Sequence, residues 1–164
     1  MSVVVDTNVA IVAEELADHA DQTCVDACID RLLAVMDSGG LLLDEDDAIV
    51  EEYTKTLGHS GRPGVGRAFA KWAFDYRFDE DRCNLVAITV RLNDGWRRYD
   101  EFPDSPALSK FDPDDQKFVA VAVASGIAPS ILNAVDSDWW IHREALSAAG
   151  VTVDFLCRHL LANG

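Results

Sequence analysis

Val3-Val4-Val5 runs straight into Asp6-Thr7-Asn8. Three consecutive β-branched residues followed by an acid and two small polar residues predict a buried strand that ends in a polar turn. Asn8 can then cap a helix from Val9-Ala10. The clearest amphipathic pattern spans 23–37, with apolar residues at 25, 28, 29, 32, 33 and 36, and Gly39-Gly40 ends it. Leu41-Leu42-Leu43, bounded by Gly and Asp, reads as a second strand. Asp46 or Asp47 is placed to cap a helix running through Leu57, 58–66 reads as a loop, and a further helix is expected over about 65–76.

The stretch 83–92 favours a strand through Leu85, Val86, Ile88, Thr89 and Val90, although Ala87 and its length also admit a helix. Asn93-Asp94-Gly95 predicts a tight turn, and Pro103 and Pro106 flank a loop. A helix is predicted from Asp112-Pro113 to Ser125 with Gly126 as its stop, then a strand over 129–135. Asp138 opens a helix to Ala149, and 151–157 is the last strand. Strands separated by helices predict a three-layer α/β/α fold with a central, mostly parallel sheet of about five strands. With no repeat, linker or low-complexity segment, 1–164 reads as a single domain.

Composition changes this picture little, and charge changes it more. The hydrophobic fraction of 49% is ordinary for a globular domain. The chain shows no apolar run of about 18 residues and no signal-peptide pattern, so no membrane partner is expected and the cytoplasm is the default location. Cys24 and Cys28 share the apolar helix face and are expected to be buried free thiols; their spacing does not suit zinc. The net charge of −15 argues against broad nucleic-acid binding. Between positions 55 and 98, however, nine Lys and Arg outnumber five acids, so that window carries +4 and the remainder −19. It is either a footprint for a phosphate backbone or a set of solvated helix faces.

The acids carry the candidate chemistry. Asp6 and Asp136 each follow an apolar strand run, and such carboxylates converge if their parallel strands are neighbours. Asp112, Pro113, Asp114 and Asp115 suit the first turn of a helix for capping and dipole reasons alone. Asp115 nevertheless lies three residues before Phe118 and seven before Ala122, on the face that packs against the sheet, whereas Asp114 turns toward solvent. In Ile49-Val50-Glu51-Glu52-Tyr53, a wheel of about 100° per residue sets Glu52 at the border of the apolar face and Glu51 nearer its back. Four carboxylates in one cleft repel unless a cation joins them. All-oxygen ligands select Mg²⁺ or Mn²⁺, a combination suited to phosphodiester hydrolysis.

With Val-Val-Asp6-Thr-Asn8, Ile-Val-Glu51-Glu52-Tyr, Asp112-Pro-Asp-Asp115-Gln-Lys-Phe-Val-Ala and Ala-Val-Asp136-Ser-Asp138 in this order, nearly the whole chain resembles the PIN-domain family of ribonucleases. The resemblance implies a parallel sheet with its first and fourth strands adjacent. It also implies a metal site of Asp6, Glu52, Asp115 and Asp136 that Asp138 joins, supported by Asn8 and Thr7, and cleavage of single-stranded RNA by metal-activated water. A toxin role with an antitoxin partner, and a homodimer, are further expectations of the family.

Two departures are visible. Family members often carry Thr or Ser just before the final Asp motif, where this chain has Ala134-Val135, and 78–108 is longer than usual. Arg62 and Arg67 could touch RNA, and Trp96-Arg97-Arg98-Tyr99 could stack and clamp bases. The simpler expectation for the latter is a hairpin with Trp96 on the core and Arg97 and Arg98 in water. The alternative function is a non-catalytic protein- or RNA-binding module on the same fold. A phosphotransferase using Asp6 as nucleophile would need an acid two residues on, where Asn8 stands.

Overall fold

The computed structural model describes residues 1–58 and 63–163. In chain order the elements are β1 (Val3–Val5), α1 (Thr7–Ala13), α2 (Gln22–Ser38), β2 (Leu41–Asp44), α3 (Ala48–Leu57), α4 (Val65–Tyr76), β3 (Cys83–Val86), β4 (Val90–Asn93), β5 (Trp96–Tyr99), α5 (Gln116–Ser125), β6 (Ser130–Asn133), α6 (Ser137–Ile141), α7 (Arg143–Ala148), β7 (Thr152–Phe155) and α8 (Arg158–Leu161). Five strands form one all-parallel sheet in the order β3-β2-β1-β6-β7, and β4 and β5 make a separate antiparallel hairpin. Helices flank the sheet, giving the expected three-layer α/β/α architecture. Among the described residues, no helix is long and apolar enough to cross a membrane.

The central strand explains the sequence of the chain's opening. Val3, Val4 and Val5 are all buried because β1 lies between β2 and β6 and both its faces are covered. Val3 to Val5 pair in register with Ser130 to Leu132, so β1 and β6 end side by side at the same edge. α1 to α4 pack on one another, and α5 lies across β1, β2, β3 and β6. α4 approaches α1 closely at Gly66, where a Cβ would sit 2.1 Å from the carbonyl oxygen of Ala10. Only a residue without a side chain allows α4 to rest on α1 there.

Several local expectations change. Asp6, not Asn8, caps α1, its carboxylate accepting the Asn8 N–H at 3.0 Å. Asp47 sits before α3 with positive φ and makes no side-chain cap; Asp44, at the end of β2, accepts instead from the N–H groups of Ala48 and Ile49 at 2.8 and 2.9 Å. The helix expected from Asp138 to Ala149 is broken at His142. There the imidazole bonds back to the Asp138 carbonyl at 2.9 Å and packs edge-on against Phe111, so tertiary contact overrides helix continuity. In 83–92 the strand tendency wins at both ends, as β3 and the start of β4.

The cysteine expectation is corrected more substantially. Cys24 is joined to Cys157 by a disulfide, which ties α2 to the segment between β7 and α8 across a sequence separation of 133. Cys28 and Cys83 are the buried free thiols. The sequence could not reveal this pairing, because only the fold brings the chain's end onto α2. Closing so long a loop restricts the unfolded chain. Cys157→Ser is therefore expected to cost the oxidised protein about 2–4 kcal/mol. Chemical denaturation with and without a phosphine reductant checks this: the reductant should lower the native midpoint toward that of the variant and leave the variant itself unmoved.

Candidate metal centre

Two neighbouring parallel strands deliver the first two acids. Asp6 is the residue after β1, and Asp136 lies three residues beyond β6. A clamp of asparagines fixes their separation. The Asn8 side-chain amide donates to Asn133 Oδ1 at 2.7 Å, and its oxygen accepts from the N–H groups of Ala134 and Val135 at 2.7 and 3.1 Å. Asn133, which is fully buried, in turn donates to the Asp136 carbonyl at 3.4 Å. Asn8 thus supports the site chiefly by binding the end of β6 to the start of α1. The Asp136 carboxylate caps α6 by accepting the Asp138 N–H at 2.9 Å.

The third acid arrives from the turn that opens α5. Residues Pro113–Asp115 form a single 3₁₀ turn, initiated by Asp112, which leads into α5. Asp114 faces solvent and Asp115 turns inward, as the helix-face argument expects. Asp6, Asp115 and Asp136 can each present a carboxylate oxygen within 4.8 Å of the other two. Among the described residues, Asp6 Oδ2 and Asp115 Oδ2 are buried without any hydrogen-bond partner. Buried polar atoms are ordinarily satisfied, so two unpartnered carboxylate oxygens in one cluster leave acceptor capacity that a bound cation could fill.

The electrostatics agree. Burial, opposed by the Asn8 N–H and reinforced by the Asp136 and Glu52 charges, pushes Asp6 up to about 7. Burial raises Asp115 further, and the charges of Asp6 and Asp136 add to the effect. Three oxygen donors with no cysteine or histidine among them suit a hard divalent cation such as Mg²⁺ or Mn²⁺. Such an ion would relieve the crowding that raises the proton affinity of Asp6 and Asp115.

Glu52 and Asp138 stand outside this three-acid group. Glu52 Oε2 accepts from the Thr7 hydroxyl, and Oε1 lies 2.7 Å from Lys117 Nζ. Lys117 is nearly buried on α5 and also donates to the Asp114 carbonyl. The fourth acid is therefore neutralised by the protein's own cation, one that the sequence reading missed. Asp138 accepts the Asp112 N–H at 2.9 Å and faces His142, so it braces the turn carrying Asp115. The signals for Lys117 and Asn133 were present: a lysine and an asparagine embedded in apolar runs must find buried partners.

The candidate RNA contacts separate. Arg62 lies outside the described residues. Arg67 is engaged locally, its Nε donating to the Leu57 carbonyl at 3.0 Å on the α3–α4 side. Arg97 and Arg98 lie on β5, which packs beside the turn bearing Asp115 and against α5. Trp96 is 56% exposed, which corrects the expectation that it packs on the core. The hairpin register puts Trp96 on the same face as Arg91 and Arg98. Comparison of the chain with protein-family models, curated proteins and solved structures finds no match.

A buried acid with a raised pKa binds its proton more tightly in the folded chain than in the unfolded one. Folding then takes up protons, and stability falls as pH climbs from the ordinary carboxylate range through about 7. Without divalent metal, the native protein is expected to lose stability between about pH 5 and 8, by on the order of 1 kcal/mol or more. Asp6→Asn should flatten that slope and melt higher than the native chain at pH 8. Millimolar Mn²⁺ should raise the native melting temperature at pH 8, and this gain should be lost in the variant.

Proposed function

We propose that the chain is a Mg²⁺- or Mn²⁺-dependent endoribonuclease of the PIN type, acting on single-stranded RNA. The observation that carries the reading is the pair of orphaned oxygens of Asp6 and Asp115, gathered with Asp136 at the carboxyl edge of β1 and β6. An ion bound there would supply Lewis-acid charge neutralisation for a phosphodiester and a water of lowered pKa. The chain's own contribution is preorganisation. The Asn8–Asn133 clamp sets the spacing of two ligands, the Asp138–Asp112 contact sets the third, and Lys117 with Thr7 holds Glu52 at the rim. The exposed hairpin offers an aromatic face and arginines beside the acids, the combination that single strands favour through stacking and phosphate contact.

A second reading is a non-catalytic binding module. It is favoured by the net charge of −15 and by the pairing of Glu52 with Lys117 rather than with the other acids. The two readings part on one assay. A 5′-labelled single-stranded RNA is incubated with Mn²⁺ and the native chain, Asp6→Asn or Asp136→Asn, and the products are resolved by length. The nuclease reading expects internal cleavage that falls by about 10²-fold or more in each variant, since the metal's charge supplies several kcal/mol to the transition state. Equal cleavage by native and variant proteins, or none by any while the native chain binds Mn²⁺, would leave the binding module as the better account.

A further inference from the structure

A second group of ligating atoms lies away from the acidic rim. Cys24 and Cys28 sit one turn apart on α2, and Cys157 reaches them from the segment that precedes α8. All three are fully buried, and their three sulfurs lie within 4.8 Å of one another. The Cys24–Cys157 disulfide uses two of them; Cys28 stands beside the bond as a free thiol. No other described Cys, His, Asp or Glu atom joins the group. His159, two residues on from Cys157, is already paired with Asp21 at 2.9 Å.

The geometry points to a low-coordinate thiolate site: once the disulfide is reduced, Cys24, Cys28 and Cys157 together hold one soft monovalent cation, Cu(I). The donor set selects the ion. Thiolates prefer soft metals, and zinc would demand a fourth ligand that this pocket does not offer. A dithiol reductant supplies two electrons and two protons to the Cys24–Cys157 bond and leaves as its own disulfide, giving three thiols. Cu(I) then displaces thiol protons to the solvent as the sulfurs become ligands.

The consequence is structural. The ion pairs that join α2 to the C-terminal segment, Arg31–Asp154 at 2.8 Å and His159–Asp21, are half-exposed and contribute little. The sulfur group fastens them in both redox states, covalently when oxidised and through copper when reduced. Cys28 has no part in the first fastening and is required for the second.

The test is anaerobic competition for Cu(I) between the protein and the chelator bicinchoninate, read by its colour. The samples are native chain (oxidised or phosphine-reduced), reduced Cys28→Ala and reduced Cys83→Ala. The reduced native chain is expected to take one Cu(I) and to regain part of the melting temperature lost on reduction. Cys28→Ala should bind at least tenfold more weakly, Cys83→Ala should match the native chain, and the oxidised chain should bind none. Melting of oxidised Cys28→Ala close to the oxidised native protein shows that the variant is folded. Loss of copper from the reduced native chain to the chelator, retention by Cys28→Ala, uptake by the oxidised chain, or tighter binding of Zn²⁺ than of Cu(I) would each overturn the proposal.

Discussion

Three carboxylates crowded into one corner, one buried and two half-buried, are the constraint on which the rest of the site depends. Like charges this close, shielded from water, cannot all ionise at neutral pH unless a positive charge joins them. The chain places its own nearby cation elsewhere: Lys117 pairs with Glu52 and the Asp114 carbonyl. Asp6 and Asp115 are left with oxygens that nothing satisfies. Proteins rarely retain such atoms, because each forfeits its hydration without a replacement. The same crowding that raises the proton affinity of Asp6 and Asp115 would underlie the proposed affinity for a divalent ion.

The fold converts that constraint into geometry. Parallel neighbours end at the same edge, so pairing β1 with β6 sets Asp6 and Asp136 near each other without any long side chain reaching across. The Asn8–Asn133 bonds then lock the two strand ends, and the Asp138 carboxylate braces the turn from which Asp115 projects. These supporting groups are themselves satisfied, so the acids they position can remain unsatisfied. A site built on strand ends and a helix start is stiff, and stiffness is what the proposed metal centre would need in order to select its ion.

Much of this was legible in the sequence wherever local pattern and tertiary role coincide. The buried run Val3-Val4-Val5, the amphipathic α2 and the inward face of Asp115 follow from periodicity alone, because burial on one face or both dictates which residues are apolar. What escaped depends on partners distant in the chain. Asp44 outcompetes Asp46 and Asp47 as the cap of α3 because β2 ends directly beneath it. Cys157 meets Cys24 only because β7, at the sheet edge, carries the end of the chain onto α2. Lys117 meets Glu52 only because α5 and α3 converge at the rim. Trp96 went the other way: an aromatic is expected to seek the core, yet the hairpin turns its face outward.

The most direct measurement is anomalous scattering from a crystal of this protein soaked in Mn²⁺. One peak is expected, roughly 2.0–2.3 Å from oxygens of Asp6, Asp115 and Asp136, with the Lys117–Glu52 pair intact beside it. A saturating soak that leaves this corner empty, or a peak that draws its oxygens from other residues, would contradict the account.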